Sequence, residues 1–420
     1  MKTALTTLPG GLRVATCEMP HAETAAAGVW AGVGGRHEPA RLSGISHFIE
    51  HMLFKGTSRR SARKIMEEIE GVGGDLNAFT SEERTCYYGA VASEFFPRLC
   101  DVLCDLYMNP RFAAGDIERE RGVIGEEILM YRDEPSSHVQ ELLNQNFWPA
   151  HPLGRSLTGT LETIESMGRE EFLGYRKTHY HSRSTVFTAA GRVRHEEVVD
   201  RVAAMLEGLP KGKTLKTAPV PPPPRGLRVA AEARDTQQTQ IAIGFPCTSS
   251  HDPARFAVHL LHILLGGNAS SRLFQQLRER RGLCYSVSTH PNPFADTGMF
   301  NISLGLEARN VVKSLRLIRA EIERIKRTPP GAAEFRRAKE YAIGSSRMSL
   351  ERTSSQNMRA GASVLTYGEI VNFEEVHARL RAVPAAEVCE VASKLLDFEQ
   401  ATVAIVGPSP NQSMVTSILG

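Results

Sequence analysis

Along the chain, short strand-like runs come first and longer runs with apolar residues at helical spacing follow. Ala26 to Val33 is an apolar alternating segment, and Thr85 to Ala92 reads as a strand that adjoins polar turns. Ile45 to Gly56 reads as a helix closed by glycine. From Phe95 to Tyr107, the residues Phe96, Leu99, Val102, Leu103 and Leu106 trace one helical stripe. Another helix starts near Asp116, with Ile117, Ile124, Ile128 and Tyr131 on its buried side. This order predicts an α+β fold whose sheets are mainly antiparallel, with helices packed on one face.

The pattern is written twice. Gly11-Leu12-Arg13-Val14-Ala15 recurs letter for letter as Gly226-Leu227-Arg228-Val229-Ala230, roughly 215 residues later. Other features repeat in step: Ala26 to Val33 with Thr239 to Phe245, Ile45 to Gly56 with Phe256 to Gly267, and Thr185 to Gly191 with Thr402 to Gly407. A period this long marks two homologous domains produced by internal duplication, since solenoid repeats run to about 20–50 residues. Four consecutive prolines, Pro221 to Pro224, cannot donate ladder or helix hydrogen bonds and favour an extended spacer. The expected division is therefore a domain over residues 1–212, a linker over 213–226, and a homologous domain over 227–420.

Composition narrows the function classes. The 420 residues carry 50 Lys plus Arg against 47 Asp plus Glu, a balance that argues against a dedicated nucleic-acid or membrane-surface binder. No run reaches the roughly 18 apolar residues of a membrane-spanning helix. The N-terminus shows no secretory h-region. Seven scattered cysteines without a C-x-x-C pair fit a reduced compartment and exclude a disulfide scaffold, so a cytoplasmic location is expected.

One constellation carries chemistry. In His47-Phe48-Ile49-Glu50-His51 a helix sets the two imidazoles about 40° apart and Glu50 about 60° to the other side of His47. Two histidines at i, i+4 can share one tetrahedral metal ion, and the carboxylate beside them can take a proton from water at that ion. A solvated helix face is the bland alternative, but Ile45, Phe48, Ile49, Met52, Leu53 and Phe54 make this helix mostly buried. Zinc needs a further ligand. On the helix near Asp116, Glu120 and Glu127 are seven residues apart and share the isoleucine stripe, while Glu126 is rotated about 100° away. Buried carboxylates call for a cation, so geometry selects Glu127 or Glu120 as ligand and leaves the other as its supporting partner.

These residues resemble the pitrilysin/insulinase metallopeptidases, relatives of the mitochondrial processing peptidase, whose inverted zinc motif is H-x-x-E-H. The likeness runs along the whole chain, through Asn77-Ala78-Phe79-Thr80, Val123 to Ile128, His151 to Arg155 and Leu277 to Tyr285. By that resemblance His47, His51 and Glu127 are the zinc ligands, Glu50 is the general base and Glu120 supports catalysis. Asn77, Ala78 and Phe79 would form an edge strand that pairs with an extended peptide; an ordinary strand is the alternative. Arg278 and Tyr285 would steady the peptide and its developing oxyanion; a solvated arginine beside a buried tyrosine is theirs. The resemblance implies a zinc endopeptidase acting on peptides or unfolded segments, with a non-catalytic scaffold subunit of the same fold as the other reading. It also implies a homodimer in which Arg278 and Tyr285 act in trans, or a dimer with a paralogous partner.

Weaker signals point elsewhere. His259 and His262 fall where the second copy should repeat the metal helix, but Leu261 replaces the glutamate, so they read as packing histidines. Cys100 and Cys104 read as core. Gly32 to Gly35 and Gly71 to Gly74 never complete G-x-G-x-x-G, so no dinucleotide site is expected.

Overall fold

The computed structural model describes residues 1–420. It forms two compact units, each built on one sheet: residues 1–129, 155–218 and 347–372 make the first, and 130–154, 219–346 and 373–420 the second.

The first sheet comprises β1 (Lys2–Thr7), β2 (Arg13–Glu18), β3 (Thr24–Ala31), β4 (Asp75–Thr80), β5 (Thr85–Ala92) and β6 (Thr185–Gly191), in the order β1-β2-β6-β3-β5-β4. Only β2 and β6 run parallel. One face packs on α1 (Ile45–Leu53), α2 (Ala62–Glu70) and α3 (Phe96–Met108), burying Val14, Ala27, Val29 and Phe187 against Phe48, Ile49, Ile69 and Leu103. The fourth helix, α4 (Ala114–Asp133), adds Ile117 and Ile124 to this core. Cys100 and Cys104 are buried in it.

The sheet of the second unit comprises β7 (Arg228–Ala233), β8 (Thr239–Pro246), β9 (Cys284–Pro293), β10 (Gly298–Leu306) and β11 (Thr402–Gly407), ordered β7-β11-β8-β10-β9. Here too a single pair is parallel, β7 with β11. The repeated Gly-Leu-Arg-Val-Ala thus enters the same place in both sheets, with Arg13 opposite Val186 and Arg228 opposite Thr402.

The class is α+β, as the sequence implies, with one addition. Each sheet is covered on its second face by a lone helix from the other half of the sequence. The helix Thr353–Tyr367 sets Ala360 and Val364 against Ala15, Cys17, Trp30 and Val186 of the first sheet. In the second unit, α5 (Pro135–Phe147) sets Val139, Leu143 and Phe147 against Ala242, Ala404 and Val406. This is why β3 is buried continuously from Ala25 to Ala31 rather than at alternate positions: both of its faces are covered. Gly361 permits the close approach, since a Cβ there would run into the Trp30 ring. The division expected at residues 213–226 separates the two sheets, but each unit also draws a helix from beyond it. No helix is long and apolar enough to cross a membrane.

Candidate metal centre

The first unit positions its chemistry on α1. Ile45, Phe48, Ile49, Met52 and Leu53 are buried, which fixes the helix rotation and turns His47, Glu50 and His51 to one side. On α4, Glu120 is buried and Glu127 half-buried, while Glu126 is exposed. That is the phase expected from the isoleucine stripe.

Three donors converge. His47 Nε2 and His51 Nε2 each lie 3.6 Å from Glu127 Oε2, and the two rings are 4.6 Å apart between centroids. With metal–ligand bonds of about 2.0–2.1 Å, the edge of a tetrahedron is about 3.3–3.4 Å, so the two histidine–glutamate separations are close to those of a zinc site. The proton arrangement points the same way. Glu120 Oε2 lies 3.1 Å from His51 Nδ1 and Lys55 Nζ lies 2.7 Å from Glu120 Oε1. A carboxylate can only accept, so Nδ1 of His51 is the donor to Glu120, which leaves Nε2 as the ring nitrogen that can face a metal beside the Glu127 oxygen. Burial, with a smaller contribution from His51, pushes His47 down to about 4 and keeps that imidazole neutral. Burial also pushes the Glu120 carboxyl up, but hydrogen bonds from His51 and Lys55 outweigh it and leave Glu120 below the ordinary range.

Glu50 stands beside the cluster, next to His51. Thr80 Oγ donates to Glu50 Oε2 at 2.6 Å. Burial holds the Glu50 carboxyl above its ordinary range against the opposing Thr80 hydrogen bond. From Glu50 and His51 a cleft of about 530 Å³ runs past Phe54, Met66 and Leu76 to Asn77 and Ala78 on β4. β4 is the edge of its sheet, so one side of its main chain has no strand partner. Phe79 turns its ring away from the cleft to meet Trp30 at 5.7 Å and Tyr88 at 6.2 Å, which leaves only its backbone at the edge.

Arg278 and Tyr285 belong to the second unit. They are brought together there, the guanidinium standing 5.1 Å over a Tyr285 ring that is 74% exposed rather than buried. In the second copy His262 Nδ1 lies 2.9 Å from Thr289 Oγ, and His47, His51 and Glu127 make the only metal-compatible group of three or more side chains in the chain. His179 ends the helix Arg169–His179. Sequence reasoning passes over Lys55, one turn beyond His51 on the same face and so open to a periodicity argument. It also passes over the contact between Thr80 and Glu50, for which spacing gives no cue.

Residues 13–161 match the family model described as Insulinase (Peptidase family M16), and residues 166–341 match the Peptidase M16 inactive domain. The chain is 36% identical to an uncharacterized zinc protease of Streptomyces coelicolor, with 96% of this chain and 89% of that protein covered. It is 34% identical to another of Bacillus subtilis, with 96% of this chain and 98% of that protein covered. In fold it is similar to a protease from Helicobacter pylori, with a TM-score of 0.91 at 20% identity over 97% of this chain and 99% of that one. A peptidase M16 inactive domain from Pseudomonas fluorescens gives a TM-score of 0.89 at 19% identity, with the same coverage. With its duplicated α+β architecture and sequence identity of this extent, the chain belongs to the insulinase (M16) family of peptidases.

Proposed function

We propose that this protein is a zinc-dependent endopeptidase that cleaves peptides or unfolded polypeptide segments. The observation that carries this reading is the convergence of His47 Nε2 and His51 Nε2 on Glu127 Oε2, with Glu50 alongside. His47, His51 and Glu127 would hold the ion. Zinc at this place supplies a Lewis acid for the peptide carbonyl and acidifies water. Glu50, held by Thr80, takes the proton from the attacking water and returns it to the leaving amine. Lys55 and Glu120 keep His51 in the donor tautomer. An extended substrate would add to the free edge of β4 at Asn77 to Phe79, which gives main-chain affinity with little demand on sequence. The names of the curated relatives support a zinc protease.

Glu50→Gln tests the assignment of the base, because the amide keeps the shape and cannot accept the proton. Zinc content should stay at the parent level while turnover of an unstructured peptide falls by at least about a hundredfold. Cleavage near the parent rate would remove Glu50 from that role.

A further inference from the structure

The helix that carries the histidines is seated by a carboxylate outside the metal motif. Helix N-termini are usually capped by a side chain at the N-cap itself. Here the N-cap is Gly44, in the left-handed region at φ 94°, where a Cβ would meet the Thr158 carbonyl oxygen at 2.6 Å. Glu38 supplies the missing acceptors. Its Oε2 accepts from Gly44 N–H and its Oε1 from Ser46 N–H, both at 2.8 Å. Ser46 precedes His47 directly. Around this contact, Ser46 Oγ lies 3.1 Å from the Tyr175 hydroxyl, and Arg155 donates to the Glu38 main-chain carbonyl at 2.9 Å. Glu38, Ser46 and Tyr175 are all buried. The carboxylate is a costly group to place here: burial, against the opposing backbone hydrogen bonds, pushes it up to about 7. An uncharged cap would satisfy one helix end more cheaply.

We infer that Glu38 is a positioning residue for the metal centre, fixing the rotation and axial seat of α1 so that His47 and His51 meet Glu127. Metal sites tolerate ligand displacements of only about 0.2 Å, so a small slip of this nine-residue helix would spoil the cluster. The consequence for turnover rests on the zinc-peptidase reading; the consequence for α1 does not.

The test compares Glu38→Gln and Glu38→Asp with Glu18→Gln in the full chain. Glu18 is a matched control: its Oε1 accepts from His195 N–H at 2.9 Å, at the start of the helix His195–Met205, which carries no site residue. In metal-free protein, amide exchange at Ser46 should quicken at least about tenfold in Glu38→Gln. Its zinc dissociation constant, from competition with a chelator, should rise at least about tenfold, and the visible spectrum of the cobalt(II) form should change. In peptide cleavage, kcat should fall about tenfold while KM stays within about twofold. Glu38→Asp, which keeps the charge but not the reach, should shift all of these in the same direction, and it carries the test if Glu38→Gln does not fold. Glu18→Gln should leave them within about twofold. Unchanged exchange and zinc affinity in the Glu38 variants, or an equal loss in Glu18→Gln, would overturn the inference. A parent that binds zinc but cleaves no peptide would overturn the peptidase reading instead, leaving exchange and zinc affinity to judge Glu38.

Discussion

Four carboxylates surround α1, and each has a different neighbour. Glu127 meets two imidazole nitrogens, Glu120 meets Lys55 and His51, Glu50 meets Thr80, and Glu38 meets two backbone N–H groups. The last has a consequence for stability. Burial lifts the Glu38 carboxyl to about 7 in the fold, above the ordinary 4.5, and the charged group facing it is Arg155, with the Tyr175 phenol nearby. A carboxyl with a raised folded pKa stabilises the fold fully below about pH 4.5 and loses that contribution as pH rises through about 7. The loss is of order 3 kcal/mol. Denaturant unfolding of the metal-free protein from pH 5 to pH 8 should therefore show a decline that is shallower in Glu38→Gln; parallel curves would show that the carboxyl does not titrate in this range. The three motif residues on α1 are legible in sequence because apolar neighbours fix their helical phase. Glu38 is not, because its link to the helix is a tertiary contact made from an irregular segment.

At the scale of elements, the decisive feature is the rotation of α4. Glu126 and Glu127 are adjacent, yet only Glu127 faces the histidines. Glu127→Gln should lower zinc content sharply and Glu126→Gln should leave it near the parent value, as read by metal analysis of the purified variants. The reverse pattern would mean that α4 is turned by about 100° from the rotation described. The phase of α4 is readable from Ile117, Ile124 and Ile128, but Glu120 and Glu127 both satisfy it. Their partners separate them in the structure, Glu120 meeting Lys55 and His51 Nδ1 and Glu127 meeting the Nε2 atoms of His47 and His51. The strands are readable too, since Thr85 to Ala92 forms β5 residue for residue. The cover on each sheet's second face is not. The apolar run in β3 signals burial on both sides without naming the helix Thr353–Tyr367, which lies more than three hundred residues further along the chain.

At the scale of the whole molecule, duplication has left one copy with a group of side chains able to hold a metal and the other with an exposed arginine–tyrosine pair. We propose that the two features work together in a homodimer, each subunit lending Arg278 and Tyr285 to the cluster of the other. Mixing a Glu50→Gln chain with an Arg278→Ala/Tyr285→Phe chain should then restore activity, because a mixed dimer would hold one intact site. No recovery despite verified subunit exchange would rule out sharing and leave the zinc assignment standing. The duplication itself is plain in the sequence, from the repeated Gly-Leu-Arg-Val-Ala. Whether any residue acts across subunits is not, because a single chain's pattern encodes no partner. The central claim, that this is a zinc peptidase, is tested most directly by metal removal and return. Chelated, dialysed protein should lose at least about a hundredfold in cleavage of an unstructured peptide, and one equivalent of zinc per chain should restore it where magnesium does not. Full cleavage by protein verified to be metal-free would contradict the account.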